Sequence, residues 1–267
     1  MVAIVTEKQK KLMRIKKTIF SFGTVEKIGS LVLLTIVWAI VSIFTPYVPS
    51  PIEVLYSSIA YIPNPEFFLD VTTSMGRIAA GFILGVITGV PLGLFMGWKR
   101  IFKNWTFPTF EVLRPIPPLA WIPLAVIMFA TIEESIIFII WTGAFFPIVL
   151  NTMLGVSSIP EHLKNSTLSF GLNQRQMLRH VILPAAMPAI LTGMTLGMGI
   201  TWNALVAAEM LAGGSGIGYQ LWYFYIISEF PLVLMFMIVI GVLGYLFSSI
   251  IRFIGGRYLK WNQEEGK

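Results

Sequence analysis

The sequence predicts an all-α integral membrane protein: six transmembrane helices, with a cytoplasmic helix–glycine–helix loop between the fourth and the fifth. Three observations predict it. The 267 residues are 56% hydrophobic and only 12% charged, with a mean hydropathy of +0.79, where a soluble domain carries roughly 25% charged residues. Six apolar runs, at 28–44, 78–98, 118–132, 135–154, 185–211 and 231–251, approach or reach the length of about 20 residues that a helix needs to cross the hydrocarbon core. Six crossings put both termini on one side, and 18 of the 19 Lys and Arg residues then fall on that side. The other side keeps only Arg77 and holds Glu53, Glu66, Asp70, Glu133, Glu134 and Glu229. Cations accumulate on the cytoplasmic face of membrane proteins, so both termini and the loop at 157–184 are placed in the cytoplasm of a multi-pass protein of the plasma membrane. The formal charge of +6 is therefore topological and requires no nucleic acid. The absence of cysteine excludes disulfides, thiol catalysis and cysteine-ligated metal.

Residues 1–27 form a basic tail in which Lys8, Lys10, Lys11, Arg14, Lys16 and Lys17 interleave with Leu12, Met13, Ile15, Ile19 and Phe20. That pattern suits an amphipathic helix on the anionic inner leaflet. A signal peptide is the rival reading, but Thr45-Pro46-Tyr47-Val48 offers no small-x-small cleavage site after the first run. Residues 28–256 are read as one membrane domain and 257–267 as a second cytoplasmic tail. Between the first two runs, five prolines at 46, 49, 51, 63 and 65 flank a short helix expected at 52–61.

In the second run Gly81, Gly85, Gly89, Gly93 and Gly97 recur every fourth residue, a stripe that lets a neighbouring helix approach closely. Arg77, just before it, is expected to pair with Asp70 or to anchor the span, with guidance of an anion as the alternative. The third run opens with Leu113-Arg114-Pro115-Ile116-Pro117-Pro118-Leu119-Ala120-Trp121-Ile122-Pro123-Leu124. Its prolines forbid a regular helix start, so it reads as a broken membrane entry completed by upstream residues. Glu111 and Arg114 are spaced for an ion pair at the inner boundary. The fourth run offers aromatic packing around Trp141, Phe145 and Phe146, with Asn151 as a capping or interhelical hydrogen-bonding group.

The fifth run carries Thr201, Trp202 and Asn203 towards mid-membrane and Glu209 near its outer end. An intramembrane carboxylate is costly and by default functional, so Thr201, Asn203, Glu209 and Arg77 are the candidates for a translocation path or gate. Gly213-Gly214-Ser215-Gly216-Ile217-Gly218 lacks the Lys-Ser/Thr of a phosphate loop and reads as a tight re-entrant turn. No catalytic set, metal spacing or paired carboxylates can be assembled. The two histidines, His162 and His180, lie in the central loop and read as surface residues.

That loop carries helix signals. Ser158 and Glu161 make a capping pattern with Pro160 in the first turn, Gly171 suits a left-handed helix end, and Asn173 with Gln176 offers a second cap. Two short helices joined at Gly171 are expected, with Pro184 restarting the chain into the next span. Here the sequence resembles the permeases of ATP-binding-cassette (ABC) importers, whose cytoplasmic signature is E-A-A, three residues, G, nine residues, I-x-L-P. Gly171 and Val181-Ile182-Leu183-Pro184 match its second half, while Asn165-Ser166-Thr167 stands in place of E-A-A. The L-R-P-I-P-P-L-A-W-I-P-L string, Pro51-Ile52-Glu53-Val54-Leu55, Ser74-Met75-Gly76-Arg77, Ala207-Ala208-Glu209-Met210 and the G-x-G turn resemble the nitrate, sulfonate, taurine and bicarbonate branch. The likeness runs from about residue 48 to 219.

The resemblance implies the type I ABC importer permease fold. It implies a pair of these chains, two ATP-hydrolysing subunits that hold the ATP and Mg, and an extracytoplasmic binding protein. This chain itself would hold no cofactor and no metal and would not be an enzyme. The coupling contacts to the ATPase would come from Glu161, Asn165, Ser166, Thr167, Phe170, Gly171, Leu172, Leu183 and Pro184. The cargo would be a small solute such as a sulfonate, taurine, nitrate or bicarbonate, with a thiamine precursor or a riboflavin-type vitamin as the alternative. If the cargo is an anion, Glu209 is not expected to bind it directly. A stand-alone secondary carrier is the rival from another class, and Glu209 is the only charge well inside a span that it could use.

Overall fold

The structure is a computed structural model that describes residues 22–163, Thr167 and residues 171–258. It falls into two compact units, which divide between Ala60 and Tyr61. The amphipathic tail read at 1–21, Asn165, Ser166 and Phe170 of the loop, and the tail from 259 lie outside the described residues.

In the first unit α1 (Phe22–Phe44) leads to α2 (Pro51–Tyr61). The turn between them is held by Trp38 Nε1 donating to the Pro49 carbonyl at 3.0 Å. Ser50 and Glu53 cap α2 reciprocally: the Ser50 N–H donates to Glu53 Oε2 at 2.7 Å and the Glu53 N–H to Ser50 Oγ at 3.3 Å.

The second unit is built around α6 (Ile132–Ser157), which is apolar on every side and therefore buried between two neighbours. One neighbour is α3 (Pro65–Trp98), which starts well before the apolar run at 78 because Asn64 caps it and Pro65 sits at its first position. The other is α7 (Gln174–Ala212), an unbroken helix of 39 residues. The glycines set both seams. A Cβ at Gly85, Gly93 or Gly97 would come within 2.6 Å of Ala144, Thr152 or Val156 of α6, and one at Gly89 within 3.1 Å of Ile148. A Cβ at Gly81 would overlap Ile140. On the adjoining face of α6, a Cβ at Gly193 of α7 would meet Asn151 at 2.9 Å and one at Gly197 the Ala144 carbonyl at 3.2 Å.

The proline string bends the chain by 90° between α4 (Arg100–Leu113) and α5 (Ile122–Met128), with a 3-10 turn at Pro118–Trp121. The third run is thus half of a bent pair and not a regular span. After α7, a glycine turn leads into α8 (Ile217–Ile226), a helix that the sequence analysis leaves unassigned, and then α9 (Phe230–Tyr258). Among the described residues α3, α6, α7 and α9 are long and apolar enough to cross a membrane, and the bent α4–α5 pair would make a fifth crossing. In α1 the apolar stretch Ile28–Phe44 is shorter.

Candidate functional site

The turn end of the bundle holds the densest polar cluster. Glu209, near the end of α7, is fully buried. Its carboxylate accepts from Ser74 Oγ at 2.7 Å, from Arg77 Nη1 at 2.7 Å and from the Gly218 N–H at 2.8 Å. Arg77 Nη1 also donates to the Ser215 carbonyl at 2.7 Å, Nη2 to Ser215 Oγ at 3.1 Å and to Glu133 Oε1, and Nε to Glu133 Oε2 at 2.8 Å. All five guanidinium N–H groups therefore have an acceptor. The expected partner Asp70 is instead turned to the glycine turn. It accepts from the Gly216 N–H at 2.7 Å and from Gln220 Nε2 at 2.8 Å, while the Ile217 N–H donates to Ser74 Oγ at 2.9 Å.

The backbone explains the glycines. Gly216 has φ of +107°, and a Cβ there would overlap the Glu209 carboxylate. A Cβ at Gly218 would stand 2.9 Å from both Glu209 Cβ and the Val206 carbonyl. The re-entrant turn is thus pinned by Asp70, Ser74 and Arg77 of α3 and by Glu209 of α7. Beside it Tyr61, Phe67, Phe224 and Phe236 pack ring against ring. Burial, with the Asp70 and Glu66 carboxylates and Tyr223 adding to it, pushes the Tyr61 phenol above its usual range. The cluster sets one cation against three carboxylates, so Arg77 is no lure for an anion.

The other translocation candidates separate. Thr201 is buried and donates to the Gly197 carbonyl of its own helix at 2.7 Å, whereas Asn203 is exposed. Among the described residues Asn151 makes no interhelical bond: its Nδ2 donates to the Pro147 carbonyl one turn back, at 2.8 Å.

At the opposite end the central loop departs from the expected pair of short helices. Ser158 does not cap a new helix. It closes α6, with Oγ donating to the Gly155 carbonyl at 2.9 Å. Glu161 lies in a helical stretch at 161–163, and Thr167 donates to the Leu163 carbonyl at 2.6 Å. Gly171 has φ of +77°, and Leu172 follows it at the start of the link to α7. The second capping box is present, with Asn173 Oδ1 and Gln176 Oε1 each accepting the other's N–H at 2.9 Å. From there the helix runs straight into the membrane segment through a π turn at Leu178–Ile182, so Pro184 restarts nothing and Leu183 and Pro184 belong to α7. The Leu183 N–H bonds the Leu178 carbonyl, and this widened turn just before Pro184 lets the chain pass a residue that has no N–H. Met177, Ile182, Ala186 and Ile190 pack with Val156 and Ile159 into one apolar cluster that ties the loop to the bundle. Lys99 Nζ donates to Gln174 Oε1 at 2.6 Å across the same end.

Residues 89–260 match the binding-protein-dependent transport system inner membrane component. The chain belongs to that family. It is 35% identical to a nitrate import permease of Synechocystis sp. over 246 residues, which is 88% of this chain and 90% of that protein. It is 33% identical to the taurine transport system permease of Escherichia coli K12 over 247 residues, 89% and 90% of the two chains. Among solved structures, an inward-facing form of the methionine ABC transporter matches 72% of this chain and 94% of its own, with a TM-score of 0.55 and 21% identity. An amino acid ABC transporter with histidines matches 76% and 97%, with a TM-score of 0.61 and 15% identity. These structures share the fold. This chain is thus a multi-pass membrane protein of a family of permease subunits, which are not enzymes in themselves.

Proposed function

We propose that this chain is the membrane subunit of an ATP-driven importer for a small anion. The observation that carries the reading is its correspondence, over about nine-tenths of both chains, with a nitrate permease and a taurine permease. Nitrate and the sulfonate group of taurine share a compact, delocalised negative charge, and that is the cargo class inferred here.

In this reading the crossings are six: α1 through its Ile28–Phe44 stretch, α3, the bent α4–α5 pair, α6, α7 and α9. Both termini and the 157–184 loop then lie in the cytoplasm, where the Lys and Arg residues concentrate. Two copies of the chain pair in the membrane, two ATPase subunits dock on Glu161, Thr167, Gly171 and Leu172 and their neighbours, and an extracytoplasmic protein delivers the anion at the glycine-turn end. Closure of the ATPases moves the loop. Because the second half of the loop, from Gln174, continues into α7 without a break, its displacement is transmitted to the glycine seams and alternates access to the path. The secondary-carrier reading loses its candidate residue, since Glu209 is fully engaged in hydrogen bonds.

Purification from native membranes in mild detergent, with mass spectrometry of what accompanies the chain, tests the reading. An ATP-binding-cassette ATPase is expected in equal amount. Recovery of the chain alone contradicts it.

A further inference from the structure

Arg77 is spent, so an anion path needs another positive group. The structure offers one at the break between α4 and α5. Arg114, the residue that ends α4, lines a cavity of about 400 Å³ together with Thr142, Phe146 and Asn151 of α6 and Leu196 and Ile200 of α7. Those positions are the middle of the Ile132–Ser157 and Gln174–Ala212 helices, so Arg114 reaches mid-membrane depth and not the inner boundary where the sequence places it.

A cation at that depth is costly unless it is paired or faces a watery cavity. Arg114 forms the i,i+3 pair with Glu111 that its spacing predicts, but that pair is long and open to solvent. Arg114 Nη2 stands 4.0 Å from Glu111 Oε1, with the two side chains 40% and 49% exposed, and the guanidinium makes no hydrogen bond among the described residues. Asn151 is held at the same cavity by the α6–α7 seam, where Gly193 leaves no room beyond its Cβ. It spends one N–H on the Pro147 carbonyl and keeps the second without a partner among the described residues. The remaining walls are apolar apart from Thr142, with Phe146, Leu196 and Ile200 among them, and low polarity strengthens the field of a loosely paired cation.

We propose that this cavity is the anion site within the membrane subunit, with the Arg114 guanidinium as the charge that binds the cargo and Asn151 as a neutral donor beside it. The planar fork of a guanidinium fits two oxygens of a nitrate or sulfonate group, which neither a lone ammonium nor the crowded Arg77 offers. The volume admits a small organic sulfonate as well as an inorganic oxyanion. This rests on the anion reading above.

The test uses the full complex, with its ATPase and binding protein, in proteoliposomes, and follows ATP-dependent uptake of nitrate and of taurine separately. Arg114→Gln is expected to lower uptake at least tenfold while the complex is recovered at normal yield and still hydrolyses ATP. Arg114→Lys, which keeps the charge, should retain clearly more uptake than Arg114→Gln. Leu196→Trp, which fills the cavity from the opposite wall, should also lower uptake. Wild-type uptake by Arg114→Gln, or equal loss in the Gln and Lys variants, overturns the site and leaves the anion reading standing. If Arg114→Gln does not reach the membrane, unchanged uptake in Leu196→Trp overturns it. A wild-type complex that moves neither anion overturns the anion reading, and this inference with it.

Discussion

Glu209 shows how a single side chain carries the turn end of the bundle. Glu209→Ala would leave one Arg77 N–H, the Ser74 O–H and the Gly218 N–H without their acceptor in a buried site. Removing one partner of a buried ion pair costs about 3–5 kcal/mol. The variant is therefore expected to show a lower yield in the membrane and a lower unfolding midpoint of the purified complex. Glu133→Gln should lose much less, because the Glu133 side chain is 56% exposed. Gly218→Ala should cost about 1–3 kcal/mol, since its methyl group would meet the Val206 carbonyl and Glu209 Cβ at 2.9 Å. Glu209 and Arg77 were each conspicuous in the sequence as charges in or beside apolar runs. Their union was not, because 132 positions separate them and no local spacing marks the contact. Asp70 was marked as a possible partner of Arg77, and Ser74 and Ser215 only as members of short motifs, while Gln220 gave no signal; none of the four announced its contact with the glycine turn or Glu209, because short polar residues beside such a turn read as solvent-facing. The depth of Arg114 was hidden for a related reason. Its proline-rich surroundings announce a break but not the direction in which the chain turns.

Between elements, the seam of α3 on α6 is the feature most exposed to test. Gly93→Leu would drive a side chain into Thr152 and the Val149 carbonyl, each already 2.6 Å from the Cβ position. It is expected to part the two helices and abolish recovery of folded protein. Gly76→Ala on the same helix meets nothing within 4 Å and should be neutral, or stabilising by up to about 1 kcal/mol from helix propensity. At Gly171 space is likewise open but φ is +77°. An ordinary residue pays roughly 1–2 kcal/mol there while asparagine tolerates it, so Gly171→Val should uncouple ATP hydrolysis from uptake where Gly171→Asn does not. The glycine period was legible because packing repeats every turn. The early start of α3 and the continuity of α7 were not. In the first case Asp70, Ser74 and Arg77 are satisfied inside the fold by Glu133, Glu209, Gln220 and the glycine turn, so polarity ceased to mark a boundary. In the second a π turn removes the break that Pro184 announces.

As a whole the molecule is, in the proposed reading, one part of a larger machine. Among the described residues the chain has seams for close packing, a loop whose second half is continuous with a membrane helix, and a cavity beside Arg114. Uptake of the anion into proteoliposomes, compared with and without the ATPase subunit and ATP, tests that claim most directly. Uptake that appears only with the ATPase and ATP is the predicted result. Uptake at the same rate by this chain alone would contradict it and make the protein a carrier in its own right.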